Sequence, residues 1–380
     1  MVLNRVKATF TVPILIAFCL LLSISSLVFS PSSLQAVVCV GECVCSNCHT
    51  MHNSQNGQPM NFDSSDIPNA LLLRGSCISC HGQNPGGSSN IISFGNVPQV
   101  LHSAITDLAG GNFKYLTTSD MFGHNVKELN NPDGSMTGTT PPGDEFNQTG
   151  ITWGAGATFT CAGKYGCHGD RTISGSLDAI KGAHHYNDKD LKFSGPINEG
   201  NQAKTSGTIG EQVGSSYRFL KGVKGGEDTD WQATNSVTDH NEYKGATVGV
   251  EGGDAYTPGG NTISGFCAEC HGNFHGGSAD IGGPTGTPWL RHPTDISLPS
   301  SGEYIAYTTY SLTAPVARTT IPSSPSATVT PSNTTDDIIM CLSCHRAHAS
   351  PYFKMMRWDY KGWPANGQTN GCNVCHTSKN

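Results

Sequence analysis

The stretch Cys341-Leu342-Ser343-Cys344-His345-Arg346-Ala347-His348 decides how this chain must fold. Two thiols three positions apart, followed at once by an imidazole, have the C-x-x-C-H spacing of covalent c-type haem attachment. The spacing has a chemical reason. Thiols that close in sequence reach two vinyl groups on one side of a single porphyrin, and the next histidine lies under the iron as its proximal ligand. The same pattern stands at Cys45/Cys48/His49, Cys77/Cys80/His81, Cys267/Cys270/His271 and Cys372/Cys375/His376. A stretched C-x5-C-H form stands at Cys161/Cys167/His168.

Zinc knuckles and structural disulfides also use paired cysteines, but neither requires a histidine after every pair. Histidine is 15 of 380 residues, so chance placement behind all the pairs has a probability of roughly a few in a billion. The pattern specifies six covalently attached haem c groups. In the third motif the residues between Cys161 and Cys167 must bulge for both thiols to stay near one porphyrin edge. Gly163 and Gly166 make that feasible, because glycine accepts backbone angles closed to other residues. The competing reading there is a Cys161–Cys167 disulfide beside an unrelated histidine.

Arg5 and Lys7 precede an apolar run from Phe10 to Phe29, and Leu34-Gln35-Ala36 offers an approximate cleavage site, so residues 1–36 read as an export signal. The run is long enough for an uncleaved anchor, a reading weakened by Pro13, Ser23, Ser25 and Ser26. Phe18 before Cys19 and Val38 before Cys39 give no convincing lipobox, and the mature chain has no membrane span. Export agrees with the motifs, since c-type haem is attached outside the cytoplasmic membrane. The expected location is extracellular or the outer cell surface, with the periplasm as the alternative.

Removing residues 1–36 takes away Arg5 and Lys7 and moves the formal charge from −7 to −9. Each ferric haem with two neutral histidines adds about −1, one positive charge from the iron–porphyrin unit against two propionates, so the holoprotein is near about −15. Such an acidic particle argues against nucleic acid as a partner. It fits electron exchange with other redox proteins or extracellular acceptors.

Only 36% of the residues are hydrophobic, against 46 Gly and 21 Pro, which is meagre for a domain packed by side chains alone. Apolar porphyrin discs, each stapled to the chain, supply the missing core. The fold class expected is therefore a multihaem cytochrome c: mostly coil, with short helices at the C-x-x-C-H sites and few short strands, wrapped around a chain of stacked haems. Ser216–Leu220 reads as one brief strand, and 304–330 as a hairpin or an edge strand plus a loop.

Residues 37–380 read as one hexahaem domain, because the motifs are distributed throughout. Haem pairs lie near 45–81 and 341–376, with separate sites at 161–168 and 267–271. The leading cysteines of the first pair are 32 residues apart and those of the last pair 31. Both pairs begin with the layout C-x-x-C-H-x-x-H-x-S, a two-copy repeat at the two ends of the molecule. Cys39 and Cys43 are left over, as a small disulfide loop or an intermolecular bridge.

The second axial ligands decide the function, since a six-coordinate haem transfers electrons and a five-coordinate one has an open site. The motifs use six histidines as proximal ligands and leave nine. Bis-histidine ligation throughout is the simplest reading. His52 and His348 follow a proximal histidine at +3 and His275 at +4, so they project from the same short helix. His124 and His292 sit in compact turns. His184 and His185 are adjacent, and His185 is the preferred one of the two. His102, His184 and His240 are weaker candidates. No C-x-x-C-K motif, the mark of a lysine-ligated catalytic haem, is present.

The segments CSNCHTMHNS, FGHNV, CAECHGNFH followed by WLRHP, CLSCHRAHAS and CNVCHTSKN occur in that order. In their order, the haem number and the chain length, the sequence resembles the OmcS-type hexahaem c-type cytochromes of metal-reducing bacteria. The resemblance implies an electron carrier, not an enzyme, that polymerises into an extracellular conductive filament. A monomeric shuttle, or a multihaem reductase with one open haem, is the alternative. The resemblance also implies that His52 is donated to the fifth haem, at Cys341/Cys344, of the neighbouring subunit. The third motif departs from the family pattern, and no histidine follows His168 at +3.

Overall fold

Serine and asparagine inside the C-x-x-C-H segments set where helices form. In the computed structural model the Ser76 N–H donates to Ser79 Oγ at 3.1 Å, opening the helix Cys77–His81. The Met340 N–H donates to Ser343 Oγ at 3.1 Å, opening Cys341–Cys344. Thr262 Oγ1 accepts from the Gly265 N–H at 2.9 Å at the start of Ile263–Ala268. Asn370 and Asn373 do the equivalent before Cys372–Cys375, with the Cys372 N–H donating to Asn370 Oδ1 at 2.9 Å. Each contact satisfies a donor that a helix start leaves orphaned. The longest of these helices is only 6 residues, too short to stand without tertiary support.

The structure describes residues 46, 48–82, 87–92, 97–129, 141–143, 158–181, 213–228, 230–233, 236–246, 261–275, 280–282, 288–290, 292–332, 337–361 and 370–378. Residues 37–380 form one compact unit, and residues 1–36 lie outside the described residues. Among the described residues the remaining elements are the four-residue helices Ser176–Ala179 and Gly272–His275, short 3-10 turns, and strands of two or three residues. The largest sheet among the described residues has three strands, Ile296–Ser297 and Ala317–Arg318 flanking Asp337–Ile339, all antiparallel. Ala317–Arg318 is thus an edge strand within 304–330. The Arg318 guanidinium bridges Glu242 and Asp337 behind it.

Ser216–Leu220 is not a strand. It forms a 3-10 turn, Tyr217–Phe219, with Arg218 at φ 51° and Phe219 at φ 59°. The reason is a capture of Arg218: its N–H donates to Glu227 Oε1 at 2.7 Å and its Nη2 to Asn241 Oδ1 at 2.8 Å. Polar contacts from distant residues override the local β preference.

Among the described residues the buried apolar side chains gather in three separate small clusters. Tyr217, Val223, Tyr243, Ile263, Phe266, Ile338 and Met340 pack beside Cys167 and Leu342. Leu298, Tyr307, Tyr310, Val316 and Val329 pack beside Val374 and Cys375. Phe113, Leu116, Val126 and Ala349 pack beside Cys161. Each cluster abuts a cysteine motif. A chain of this length with one side-chain core would merge them.

Candidate haem-attachment sites

Consecutive cysteine motifs approach one another in sequence order. The Cys48 thiol lies within hydrogen-bonding reach of Cys80, Cys77 of Cys161, and Cys267 of Cys341. Cys167 faces Cys267, and Cys344 faces Cys375, closely enough to interact electrostatically. The sites therefore form a continuous row from first to sixth. Cys45 lies outside the described residues, so the first site is seen only through Cys48 and His49.

At the fourth motif the short helix covers only part of the site. The helix Ile263–Ala268 carries Cys267 but ends before Cys270, which sits half-buried in a turn. Cys267 O accepts from both the Cys270 N–H at 3.1 Å and the His271 N–H at 3.0 Å, the shared bonding common at helix ends. Cys267 faces both the third and the fifth motif, and Cys270 stands close enough to interact with its thiol electrostatically. In the second motif, by contrast, Cys77 and Cys80 both lie on one helix, and each faces a different neighbouring site.

In the third motif the strands Thr160–Ala162 and Gly166–His168 stand where the second, fourth, fifth and sixth sites have a helix. Gly163 turns the loop at φ 85°, and a Cβ there would sit 2.7 Å from Ile173 O. Cys161 and Cys167 are not joined to each other. One faces the preceding motif and the other the following one, as Cys341 and Cys344 do in the fifth.

Every motif histidine directs Nδ1 at an acceptor. His49 faces Leu71 O at 3.1 Å, His81 Pro98 O at 2.9 Å and His168 Arg218 O at 2.9 Å. His271 faces Pro142 O at 2.5 Å, His345 Lys354 O at 2.9 Å and His376 Glu303 Oε1 at 2.9 Å. An Nδ1–H donated in this way fixes the tautomer and leaves Nε2 as the coordinating atom, the usual support behind a metal-bound imidazole. Two of the spare histidines are held alike: His124 against Ala347 O at 2.8 Å and His292 against Pro293 O at 2.9 Å.

Three motif histidines each face a spare histidine with ring centres 6.2 Å apart: His168 with His348, His271 with His124, and His376 with His292. A metal bound by two imidazoles on opposite sides, at about 2 Å each, sets the ring centres about 6 Å apart. Burial pushes the imidazoles of His81, His168 and His345 below the ordinary histidine range. Burial, then repulsion from neighbouring imidazoles, takes His124 to about 4 and His348 to about 3. Neutral imidazole is the form a metal requires. Thiol pairs, proximal nitrogens and facing second imidazoles are the donor set of c-type haem, and the residues fit that group.

His348 does not project from the helix of its motif. The helix ends at Cys344, and His345 is extended (φ −114°, ψ 156°) because it pairs with Met356. His348 is instead gripped by the 110–124 segment: its N–H donates to Gly110 O at 2.7 Å and its carbonyl accepts from the His124 N–H at 3.0 Å. Its ring stacks on Phe113 at 4.9 Å. A Cβ on Gly110 would lie 2.8 Å from His348 Nδ1, so the close approach requires glycine. His275 lies on a separate short helix, Gly272–His275, with Nε2 2.8 Å from the buried Asp295 Oδ2. His52 is exposed.

The weaker candidates sit elsewhere. His102 is fully buried against Asn112, whose Nδ2 is 3.2 Å from Nε2. His240 is fully buried, 3.2 Å from Glu242 Oε1 and stacked on Tyr310 at 3.7 Å. His184 and His185, with Cys39 and Cys43, lie outside the described residues. The sequence reading missed the carbonyls and Glu303 that hold the proximal rings. No local signal marks them, since Glu303 and His376 are brought together only by the fold.

Fold and sites define a c-type cytochrome with several attachment sites. Residues 333–380 match the family described as the doubled CXXCH motif. The chain is similar to the C-type cytochrome OmcS of Geobacter sulfurreducens, 27% identical over 367 residues, 84% of this chain and 79% of that protein. Two solved structures also match. The outer membrane cytochrome S filament from Geobacter sulfurreducens is 19% identical over 90% of this chain and 100% of that chain, with a TM-score of 0.43. The OmcS nanowires from the same organism are 20% identical over 84% of each chain, also with a TM-score of 0.43. Among the described residues no helix is long and apolar enough to cross a membrane.

Proposed function

We propose that the chain carries electrons through six haem c groups, each with two axial histidines, as the subunit of an extracellular filament. The observation that carries this reading is the set of three facing imidazole pairs, each joining a motif histidine to a spare one across 6.2 Å. Bound haem supplies the one-electron iron couple; the chain fixes where that couple sits and what ligates it. His348, His124 and His292 are the second ligands of the third, fourth and sixth sites. His185 and His275 serve two of the remaining irons, with Asp295 orienting His275 as a carboxylate orients a ligating imidazole. His52 reaches out of its own subunit to the fifth site of the next one, which its exposure favours. With both axial positions filled, no iron is left open for chemistry on a small molecule, which supports an electron carrier over a reductase.

The row of motifs in sequence order supports passage from one end of the subunit to the other. The similarity to OmcS favours a filament and an extracellular location over a monomeric shuttle. The test has two readouts. Carbon monoxide added to the ferrous protein should bind no haem, and electron microscopy of the secreted material should show filaments. Stoichiometric carbon monoxide binding at one site would defeat the all-bis-histidine reading, and monodisperse particles would defeat the filament.

A further inference from the structure

His376 differs from the other five motif histidines in what its Nδ1 meets. Nδ1 of His49, His81, His168, His271 and His345 faces a backbone carbonyl, whereas His376 Nδ1 lies 2.9 Å from Glu303 Oε1. Both side chains are largely buried, 17% exposed for His376 and 12% for Glu303. The carboxylate is held in place. Glu303 stands in the 3-10 turn Gly302–Ala306, and its backbone carbonyl accepts from the Thr377 hydroxyl. Its second carboxylate oxygen accepts from Ser378 Oγ at 3.4 Å. Tyr304, from the same turn, packs edge-on against the His376 ring at 5.3 Å.

A carbonyl and a carboxylate both orient an imidazole, but they do not polarise it equally. A hydrogen bond to an ionised acceptor is roughly twice as strong as one to a neutral acceptor. The anion draws the Nδ1 proton towards itself and makes Nε2 a more basic ligand. A more basic ligand with a negative charge behind it favours the more positive ferric state. We propose that Glu303 is a positioning residue that acts through His376 and lowers the reduction potential of the haem at Cys372/Cys375 below what a carbonyl partner would give. Because the sixth motif closes the row, Glu303 makes the end of the row harder to reduce. This rests on the reading of that motif as a haem site with His376 as its ligand.

Two measurements on the purified holoprotein test this. In Glu303→Gln the amide oxygen still accepts from Nδ1, so the ring keeps its orientation and only the charge is lost. Spectroelectrochemical titration should show one potential raised by about tenfold in its reduction equilibrium, about 59 mV for one electron, and the other five unmoved. Unchanged potentials in a fully loaded Glu303→Gln protein would overturn the proposal. The second measurement leaves Glu303 in place. His292→Ala should open the sixth site, and His348→Ala the third, where His168 faces Arg218 O. A five-coordinate ferrous haem shows an iron–histidine stretch in resonance Raman spectra, and that bond stiffens as the imidazole gains negative charge. The band of His292→Ala should lie at higher frequency than that of His348→Ala. Equal bands would overturn the proposal, even if Glu303→Gln did not fold. A purely structural role for Glu303 would move neither readout. The mass of the wild-type protein tests the underlying reading separately: free thiols at Cys372 and Cys375 would defeat the haem site itself.

Discussion

His168 and His348 face each other across 6.2 Å, although one follows a cysteine pair of the third motif and the other lies beyond the fifth. The pairing is built from the backbone outward. Gly110 and His124 grip the His348 main chain on either side, and Arg218 O orients the His168 ring. Replacement of His348 by alanine should therefore open one axial position without detaching a haem. The expected outcome is a high-spin signal and one bound carbon monoxide per chain, at an unchanged haem count by intact mass. A variant that stays wholly low-spin would show that His348 is not an axial ligand.

Gly163 is the hinge of the C-x5-C-H loop, with φ 85° and Ile173 O where a Cβ would stand. A non-glycine residue at such an angle costs roughly 1–2 kcal/mol before any clash is counted. The Gly163→Ala protein should contain a population one haem lighter by intact mass, because the loop no longer holds Cys161 and Cys167 to one edge. A haem distribution identical to that of the wild type would remove the glycine from the account.

The Cys-Cys-His motifs were legible because thioether spacing is a local constraint, and the helices at Cys77–His81 and Cys341–Cys344 follow from side chains within the motif itself. Helix extent was less legible: at the fourth site the helix that carries Cys267 ends at Ala268 and leaves Cys270 outside it. Distal ligand geometry was legible only in part. Sequence spacing put His348 on its motif helix, whereas pairing of His345 with Met356 pulls the chain out of that helix. The failure at Ser216–Leu220 has the same origin: Glu227 and Asn241, distant in sequence, impose left-handed backbone angles on Arg218 and Phe219. Contacts that close long loops leave no periodic trace.

His52 is exposed and close in sequence to the expected cleavage site, where a chain end can cross an interface. His52→Ala should abolish filaments and leave one high-spin haem per subunit. Electron microscopy and the visible spectrum read the two effects together. Persistent filaments with an all-low-spin spectrum would make His52 an ordinary surface residue.

Asp228 is 2% exposed, and burial, followed by hydrogen bonds with Asp230 and Asp239, raises its carboxyl to about 8. The folded chain then holds a proton that the unfolded chain releases above about pH 3.9. This stabilisation is complete below that value and is lost as pH rises towards about 8, with a slope of up to about 1.4 kcal/mol per pH unit. The thermal unfolding midpoint of the wild type should be lower at pH 8 than at pH 5, and Asp228→Asn should flatten the difference. An unchanged pH slope in the variant would place the dependence on other groups.

In the proposed filament six bis-histidine sites run in sequence order through each subunit and continue into the next. Cryo-electron microscopy of the secreted material tests it most directly, because one map shows haem number, ligands and assembly together. The expected map has filaments with six macrocycles per subunit in motif order, His348, His124 and His292 opposite His168, His271 and His376, and His52 entering the fifth site of the neighbouring subunit. Isolated monomers, or a macrocycle at Cys161/Cys167 missing from the row, would contradict it.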